Sequence, residues 1–377
     1  MQQFRKKHLI SLLESYDEER APIDFHVSSY FRHHPSLGSK DRAYIAETVY
    51  RLIRWKGLID HFVGENSSWE EKAEWLHTHD PRNFEDDQRI AEHIRASFPL
   101  ELYEAFKRSW GERTFAIALD CNETAPTTIR VNTLKTTREK LVEQFKNQGL
   151  LVSCGSDCPT AIIFHKKVNF FTLPEFKDGL FEVQDEASQL VAEMVAVKPQ
   201  EKVLDFCSGS GGKTLAFAPK LAGSGQIFLH DVRPRAIMEA KKRLKRAGIQ
   251  NAQTLLATDT NRLKALKKRM DWVLVDAPCS GTGTLRRNPD MKWKFSEELL
   301  SRLVSEQRVI FEQALSYVRP QGTIVYATCS ILQEENENQM QHFLKTYPIE
   351  QVGEPFQSVP ETGKKDGFFA VQFRKKV

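Results

Sequence analysis

The sequence lacks the features that mark membrane, secreted or disulfide-stapled proteins. No stretch of its 377 residues approaches the ~18 consecutive apolar residues of a membrane-spanning helix. The first 20 residues lack the apolar core of a secretory leader. Internal repeats and low-complexity segments are absent too. Cysteine is scarce, with six scattered residues, so we expect reduced thiols, a cytoplasmic location and no metal site.

The sequence also lacks a large net charge, but its charges are segregated along the chain. The total is +4, from 54 basic and 50 acidic residues. Residues 60–104 hold 12 acidic and 4 basic residues, which leaves 50 basic and 38 acidic residues elsewhere. A basic remainder is compatible with a polyanionic ligand, although most basic surfaces of this strength are simply solvated.

The chain is long enough for two or three domains, and its patterns predict three. Residues 1–112 show apolar side chains at helical spacing and predict a small helical domain. Residues 113–185 place β-forming segments around one helical segment and predict a small α+β module resembling an RNA-recognition motif. From residue 186 to 377, short apolar runs alternate with helical segments, which predicts an α/β domain with a doubly wound, Rossmann-like sheet.

Five apolar runs in the third region predict the strands of that sheet. They cover residues 202–207, 226–231, 254–259, 271–278 and 322–329. Ligands of doubly wound sheets bind outside the carboxyl ends of the strands. Five polar or reactive residues fall at these ends and are therefore expected to converge on one crevice: Cys207, Asp231, Asp259, Asp276 and Cys329.

The loop after the first of these strands, DFCSGSGGKT, predicts a nucleoside site. Glycines at 209, 211 and 212 let backbone approach a ligand closely. A phosphate-binding P-loop is an alternative, but Cys207 occupies the position of its first glycine. Asp231 follows the loop at the spacing that places a carboxylate on ribose hydroxyls, and Asp259 could accept from an adenine amino group. Helix capping is the competing interpretation for each acid. Together the residues favour S-adenosylmethionine as cofactor.

Two cysteines and one acid suggest the reaction. Asp276 and Cys279 lie in DAPCSGTGTLRRNPDMKWK, and Cys329 lies in YATCSILQEENENQ. Methylation at carbon 5 of a pyrimidine requires a thiolate to add at carbon 6 first. A carboxyl group hydrogen-bonded to ring N3, here Asp276, would stabilise that adduct. The target base would have to be single-stranded or flipped out of a duplex. A basic run, Arg286, Arg287, Lys292 and Lys294, follows the first motif. In isolation, either cysteine would more often be a small core residue than a catalytic one.

At these motifs the chain resembles the Fmu/Sun family of S-adenosylmethionine-dependent RNA (cytosine-5)-methyltransferases. The resemblance extends to RVNTLK (130–135), FEVQDEASQL (181–190) and DGFFAVQF (366–373). It implies that Cys329 is the attacking thiol and that Cys279 assists product release. It also implies a cofactor pocket lined by Cys207, Ser208, Gly209, Ser210, Gly211, Gly212, Lys213, Asp231, Asp259 and Asp276, to which we add Arg235. The family loop reads Cys-Ala-Ala-Pro-Gly-Gly-Lys, and Ser208, Gly209 and Ser210 replace its Ala-Ala-Pro here.

The segment 30–54 is similar to the NusB-like N-terminal domain of the bacterial 16S rRNA branch of this family. The resemblance implies an RNA substrate, with 16S rRNA as the first expectation. We also expect a monomeric enzyme. Three alternatives stay open: a cytosine-5 methyltransferase acting on tRNA or another RNA, a DNA enzyme in which the Pro-Cys thiol attacks, and a non-catalytic RNA-binding factor for ribosome assembly.

Overall fold

The computed structural model describes residues 3–17 and 21–377, which form two compact units. The helical unit comprises the described residues up to Thr124 together with residues 284–300. The sheet unit comprises residues 125–283 and 301–377. Residues 1, 2 and 18–20 lie outside the described residues. They belong to the predicted helical domain and to the first 20 residues, in which no secretory leader is expected. The predicted division into three domains stays a prediction.

The helical unit is built on amphipathic helices. They are α1 (Gln3–Glu14), α2 (Ile23–His33), α3 (Ser39–Arg54), α4 (Lys56–Val63), α5 (Trp69–Thr78), α6 (Glu92–Arg95), α7 (Leu100–Trp110) and α8 (Thr114–Asp120). Leu9 of α1, Val49 of α3 and Leu58 of α4 are fully buried in one cluster. Trp293, from the 284–300 segment, packs against the same cluster. The helical unit therefore includes a stretch of chain that is distant in sequence.

The first part of the sheet unit is a four-stranded antiparallel sheet in the order β2-β3-β1-β4. Its elements are β1 (Thr127–Val131), α9 (Arg138–Asn147), β2 (Val152–Cys154), β3 (Ala161–Phe164), α10 (Pro174–Lys177) and β4 (Phe181–Val183). Phe145 of α9 packs edge-to-face on Phe164 and Phe181, with ring centroids 5.1 and 5.8 Å away. Aromatic burial on one face thus holds this small sheet together.

The second part is a seven-stranded mixed sheet in the order β10-β11-β9-β8-β5-β6-β7. Its elements are α11 (Glu186–Glu193), β5 (Lys202–Asp205), α12 (Gly212–Phe217), β6 (Gln226–Asp231), α13 (Pro234–Ala247), β7 (Ala252–Leu256), α14 (Thr260–Leu266), β8 (Met270–Asp276), α15 (Glu297–Leu315), β9 (Val318–Thr328), α16 (Glu337–Thr346), β10 (Ile349–Ser358) and β11 (Phe368–Lys375). Strands β5 to β9 pair in parallel, whereas β10 and β11 are antiparallel.

Strand side chains alternate between two buried layers. Leu204 and Tyr326 contribute to the core beside α15 and α16, whereas Val203 and Val325 contribute to the core beside α12 and α13. Because both faces are covered, the strands read as continuous apolar runs, as is typical of parallel sheets. The predicted α/β fold class with a Rossmann-like sheet is confirmed. Among the described residues, no helix is long and apolar enough to cross a bilayer.

Candidate active site

The site lies where the strand order of the seven-stranded sheet reverses. From β5, the chain adds β6 and β7 on one side and then β8 and β9 on the other. The reversal opens a crevice at the carboxyl ends of β5 and β8, which is where doubly wound sheets bind ligands. Asp205, Asp231 and Asp276 are the last residues of β5, β6 and β8. The topology therefore brings three carboxyl groups to one edge.

The loop from Cys207 to Lys213 depends on glycine at two positions. Gly209 and Gly211 have φ of +53° and +80°, a backbone conformation that other residues adopt only with strain. A Cβ atom on Gly211 would also lie 3.2 Å from a methyl carbon of Leu229. The Ser208 N–H donates to the His230 carbonyl at 2.9 Å, which fixes the loop to β6.

Asp231 holds the loop and is itself held by an arginine. It accepts from the Gly209 N–H at 2.8 Å and from Arg233 Nε and Nη2 at 2.9 and 3.0 Å. Burial alone would raise the pKa of Asp231, but the bonds from Arg233 and Gly209 outweigh burial and lower it. The predicted residue Arg235 is exposed in the first turn of α13. Arg233, two residues earlier, makes the contacts instead.

Lys213 and Asp276 form an ion pair across the switch point. The Lys213 ammonium lies 2.6 Å from Asp276 Oδ2 and 5.4 Å from the centre of the Phe368 ring. Burial favours the neutral amine, but attraction to Asp276 outweighs burial and raises the pKa of Lys213. The Asp276 side chain keeps about a third of its surface (32%) exposed, so a substrate can reach it.

Two buried polar atoms beside the loop have no partner among the described residues. Asp205 accepts from Thr214 Oγ1 at 2.6 Å through Oδ2, while its Oδ1 atom is buried and unpaired. The Ser208 hydroxyl is buried and unpaired as well. Burial raises the pKa of Asp205 to about 7, although the bond from Thr214 opposes the shift. Buried polar groups without partners are rare in native structures, and a polar ligand would satisfy these two. The residues therefore fit a cofactor such as S-adenosylmethionine.

Asp259 lies apart from the loop contacts. Strand β7 ends at Leu256, three residues earlier than the predicted run, so Asp259 lies in the turn before α14. Its Oδ2 atom accepts from the Leu256 N–H at 2.9 Å, and Arg262 lies 3.9 Å away. The structure thus ties Asp231 and Asp276 to the loop, and Asp259 to the end of its own strand.

Cys279 and Cys329 meet at the same edge, with their Sγ atoms 3.3 Å apart. Both are free thiols and partly exposed. The hydrogen bond to Cys329 and burial together raise the pKa of Cys279 well above its usual value. The two thiols are thus joined by a hydrogen bond in which either sulfur can be the donor. Burial also raises the pKa of Cys207, which keeps that thiol protonated.

A buried polar network links the two cysteine loops. Glu335 is fully buried, and its Oε1 atom accepts from the Ser280 N–H at 2.9 Å and from Gln307 Nε2 at 2.9 Å. Its Oε2 atom accepts from the Ser280 hydroxyl at 2.5 Å. Thr282 Oγ1 lies 3.0 Å from Ser330 Oγ and accepts from the Ile331 N–H. The residues flanking both cysteines are thus bonded to each other.

Glycine 283 allows a third segment to join this network. Its N–H donates to the Cys329 carbonyl at 2.9 Å, and its own carbonyl accepts from the Gly367 N–H at 2.9 Å. A Cβ atom on Gly283 would lie 2.0 Å from the Gly367 carbonyl oxygen, which no neighbour could accommodate. The DGFFAVQF segment therefore packs directly on the loop that follows Cys279.

Sequence reasoning assigned no role to Glu335, Gln307 or Arg233. Glu335 lies in the motif that carries Cys329, where an acid after a buried strand is a usable signal. Gln307 lies in α15, and its helical position carries no comparable signal.

Two members of the basic run after Cys279 are buried rather than on the surface. Arg286 and Lys292 are 2% and 0% exposed. Within the helical unit, Lys292 Nζ donates to the Arg54 carbonyl at 2.7 Å and to the Ser97 carbonyl and Asn122 Oδ1 at 2.9 Å. These two cations are therefore structural and unavailable to a phosphate.

Two family profiles match the chain. The profile described as 16S rRNA methyltransferase RsmB/F matches residues 192–374, which contain the loop, the acids and both cysteines. The profile described as the Methyltr_RsmF/B-like, ferredoxin-like domain matches residues 98–170.

Individual methyltransferases are also similar to this chain over most of its length. Ribosomal RNA small subunit methyltransferase B of Proteus mirabilis is 32% identical over 74% of this chain and 66% of its own length. The protein of that name from Klebsiella pneumoniae is 30% identical over 76% of this chain and 68% of its own length. A crystal structure of a methyltransferase homologue from Pyrococcus horikoshii superposes with a TM-score of 0.67 at 26% identity, covering 75% of this chain and 97% of that one. The chain thus spans about two thirds of the length of these curated relatives.

Proposed function

Because the chain belongs to the RsmB/F family of 16S rRNA methyltransferases, we propose that it methylates carbon 5 of a cytidine in RNA, with 16S rRNA as substrate. The observation that carries the reaction type is the Cys279–Cys329 pair beside the Lys213–Asp276 ion pair. Neither the names of the relatives nor the fold specifies which base is methylated or at which atom. The proposed mechanism therefore rests on the residues of the site itself.

The loop from Cys207 to Lys213 would hold S-adenosylmethionine, the methyl donor of the family. Asp231 would accept from the ribose hydroxyls, after Arg233 gives up part of its contact with the carboxylate. The unpaired Asp205 and Ser208 atoms offer further polar contacts. Asp259 is assigned to the adenine amino group and Arg235 to the pocket rim. When bound, the cofactor supplies a methyl group activated by its positively charged sulfur.

Cys329 is assigned as the nucleophile that adds to carbon 6 of the cytosine ring. The raised pKa of Cys279 supports its assignment as the thiol that stays protonated during attack, which leaves the attack to Cys329. Its thiolate accepts the Cys279 proton in a hydrogen bond and interacts with the nearby Lys213 ammonium. A positive charge nearby favours the thiolate, which is the reactive form of cysteine.

Asp276 is assigned to ring N3. Addition of sulfur at carbon 6 pushes electron density toward N3. Asp276, protonated by the Lys213 ammonium, would donate a hydrogen bond to N3 and stabilise the adduct. Lys213 orients Asp276 through the 2.6 Å ion pair. Carbon 5 thereby becomes nucleophilic and can form a bond to the methyl carbon, whose bond to the cofactor sulfur would break with its electron pair staying on the sulfur.

Cys279 is assigned to the release step. Once Cys329 is bonded to carbon 6, its sulfur is an uncharged thioether and no longer raises the pKa of Cys279. The Cys279 thiol can then lose its proton to water, and the resulting thiolate takes the proton from carbon 5. The electrons of that C–H bond re-form the double bond between carbons 5 and 6, and the Cys329 thiolate leaves. Removal of Cys279 should therefore block release but not attack.

The remaining parts of the chain are assigned to the substrate. We propose that residues 1–112 and 113–185 contact RNA, and that the cytidine is single-stranded or flipped out of a helix, since the cysteines cannot reach a stacked base. One copy of the chain carries every residue of the proposed reaction, which supports a monomeric enzyme. In keeping with a ribosomal RNA substrate, we propose a cytoplasmic location.

Bisulfite sequencing of total RNA from cells with and without the gene tests the proposal. We expect at least one 16S rRNA cytidine to lose its protection in the deletion strain and to regain it with the intact gene. A gene carrying Cys329→Ala should fail to restore protection. Loss of protection in tRNA alone would favour the tRNA alternative, and unchanged protection in all RNA would overturn the assignment as a cytosine-5 methyltransferase.

A further inference from the structure

The cofactor loop is bonded on its outer side to the four-stranded sheet. The carbonyl of Gly212 accepts from Arg130 Nη1 at 2.9 Å, and Arg130 lies on β1. The carbonyl and the hydroxyl of Ser210 accept from Arg243 Nη1 at 3.1 and 2.7 Å. Arg243 lies on α13 and Gly212 begins α12. Two arginines outside the loop thus fix it at two places. Arg243 holds Ser210, which stands between two flexible glycines, and Arg130 holds Gly212, at the start of α12.

The Arg243 guanidinium is held in place by a buried acid. Glu182 of β4 is 3% exposed and accepts from Arg243 Nε and Nη2 at 3.2 and 3.0 Å. It also accepts from Arg246 Nη2 at 2.6 Å. A planar guanidinium fixed on one side by a carboxylate presents its remaining donor in a defined direction. Arg243 thereby connects β4 of the small sheet to Ser210 of the loop.

The loop needs this support because its own backbone is permissive. Gly209, Gly211 and Gly212 restrict the chain little, and Ser210 stands between them. In the absence of the outer bonds, the loop would lose order that ligand binding would then have to restore. The Ser210 hydroxyl makes the shortest of the bonds from Arg243 to the loop.

We propose that Arg243 is a positioning residue for S-adenosylmethionine, which holds the cofactor loop in its binding conformation through Ser210 and is oriented by Glu182. This inference rests on the proposed function, because it assumes that the loop binds that cofactor. The small sheet then has a second role besides any contact with RNA, since its β4 strand supplies the acid that orients Arg243.

Arg246 provides a matched control. It is one helical turn from Arg243, pairs with the same Glu182 and packs on the Phe176 ring at 4.1 Å. Its side-chain contacts are with β4 and α10, whereas those of Arg243 reach the loop. Removing Arg246 therefore disturbs the same acid and the same helix without removing a bond to Ser210.

Calorimetric titration with S-adenosylmethionine, together with steady-state kinetics, tests the inference. We expect Arg243→Ala to raise both the dissociation constant and the KM for the cofactor by about tenfold, the usual scale of a lost charge-assisted bond. The kcat at saturating cofactor and the affinity for RNA should stay within about twofold of the unaltered chain. Arg246→Ala should leave cofactor affinity unchanged.

Ser210→Ala removes only the hydroxyl contact and keeps the test decisive if Arg243→Ala does not fold. It should raise the dissociation constant by a smaller factor, and its effect should nearly vanish in an Arg243→Ala background, because the Ser210 hydroxyl acts through its bond to Arg243. Equal loss of affinity in the Arg243 and Arg246 variants, or unchanged affinity in both Arg243→Ala and Ser210→Ala, would overturn the inference alone. Failure of the unaltered chain to bind S-adenosylmethionine would overturn the proposed function, and the inference with it.

Discussion

The buried carboxyl of Asp205 makes stability depend on pH. Its folded pKa of about 7 lies above the ordinary value of 3.8, so the folded chain binds this proton more tightly than the unfolded chain does. The contribution to stability is therefore complete below the ordinary pKa and declines as the pH rises toward 7. Below and above that window, Asp205 should add no further pH dependence.

Asp205→Asn should remove this part of the pH dependence, because an amide carries no titrating proton. We expect the free energy of unfolding, measured by urea denaturation, to fall less between pH 5 and pH 8 in the variant than in the unaltered chain. Asp259→Asn, at a partly exposed carboxyl, is the control and should leave the slope unchanged. Identical slopes in the unaltered chain and Asp205→Asn would show that Asp205 is charged in the folded state.

Glu335 is the residue through which the two cysteine loops support each other. Glu335→Gln keeps the size of the side chain but places an NH₂ group against a donor, either the Ser280 hydroxyl or the Ser280 N–H and Gln307. We expect kcat for RNA methylation to fall by about tenfold or more, with cofactor affinity unchanged. The neighbouring variant Glu337→Gln, whose acid bonds only an exposed glutamine in the described structure, should keep its activity. Full activity in Glu335→Gln would remove the network from the mechanism.

At the scale of elements, the 284–300 segment behaves as part of the helical core. Lys292 is fully buried and donates to three oxygens. Asp290, 1% exposed, accepts from Tyr16 Oη, the Ile23 N–H and Lys294 Nζ in the same region. The segment that follows the Pro-Cys motif is thus required for the helical unit to be complete.

Lys292→Met should destabilise the chain by about 2–3 kcal/mol, because the three acceptors of Lys292 lose their donor in a buried position. Thermal or urea unfolding measures the loss. Lys107→Met, on the exposed face of α7, is the control and should change stability little. Equal stabilities for the two variants would contradict a structural role for the buried cation.

The parallel strands could be predicted because each is a short apolar run with a polar or reactive residue at its carboxyl end. Strand β6 coincides with its predicted run, while β7 ends before Asp259 because the chain turns at Leu256. The roles of β10 and β11 could not be predicted in the same way. These antiparallel strands alternate buried and exposed residues less regularly, and their pairing with β9 depends on contacts distant in sequence.

The hydrogen-bond partners of the site's side chains are harder to predict from the sequence than the positions of the acids. The spacing after the loop identified Asp231, but sequence spacing does not tell which of Arg233 and Arg235 turns back toward it. Charge is also a poor guide to the burial of Lys292, since a lysine in a basic run is usually solvated. Its burial follows from three acceptors contributed by distant parts of the helical unit.

For the whole molecule, the proposed mechanism depends on separate roles for two thiols whose Sγ atoms lie 3.3 Å apart. Cys329 is assigned to attack the base and Cys279 to release it. A single experiment separates these roles: each variant is incubated with substrate RNA and S-adenosylmethionine and then resolved on a denaturing gel. Cys154→Ala, at an exposed thiol, is the control and should behave as the unaltered chain does.

The proposed mechanism predicts that Cys279→Ala accumulates a slowly migrating RNA–protein adduct, and that Cys329→Ala and the double variant form none. An adduct that accumulates in Cys329→Ala and is missing from Cys279→Ala would contradict it, and would assign the attack to Cys279 as in the DNA-type arrangement.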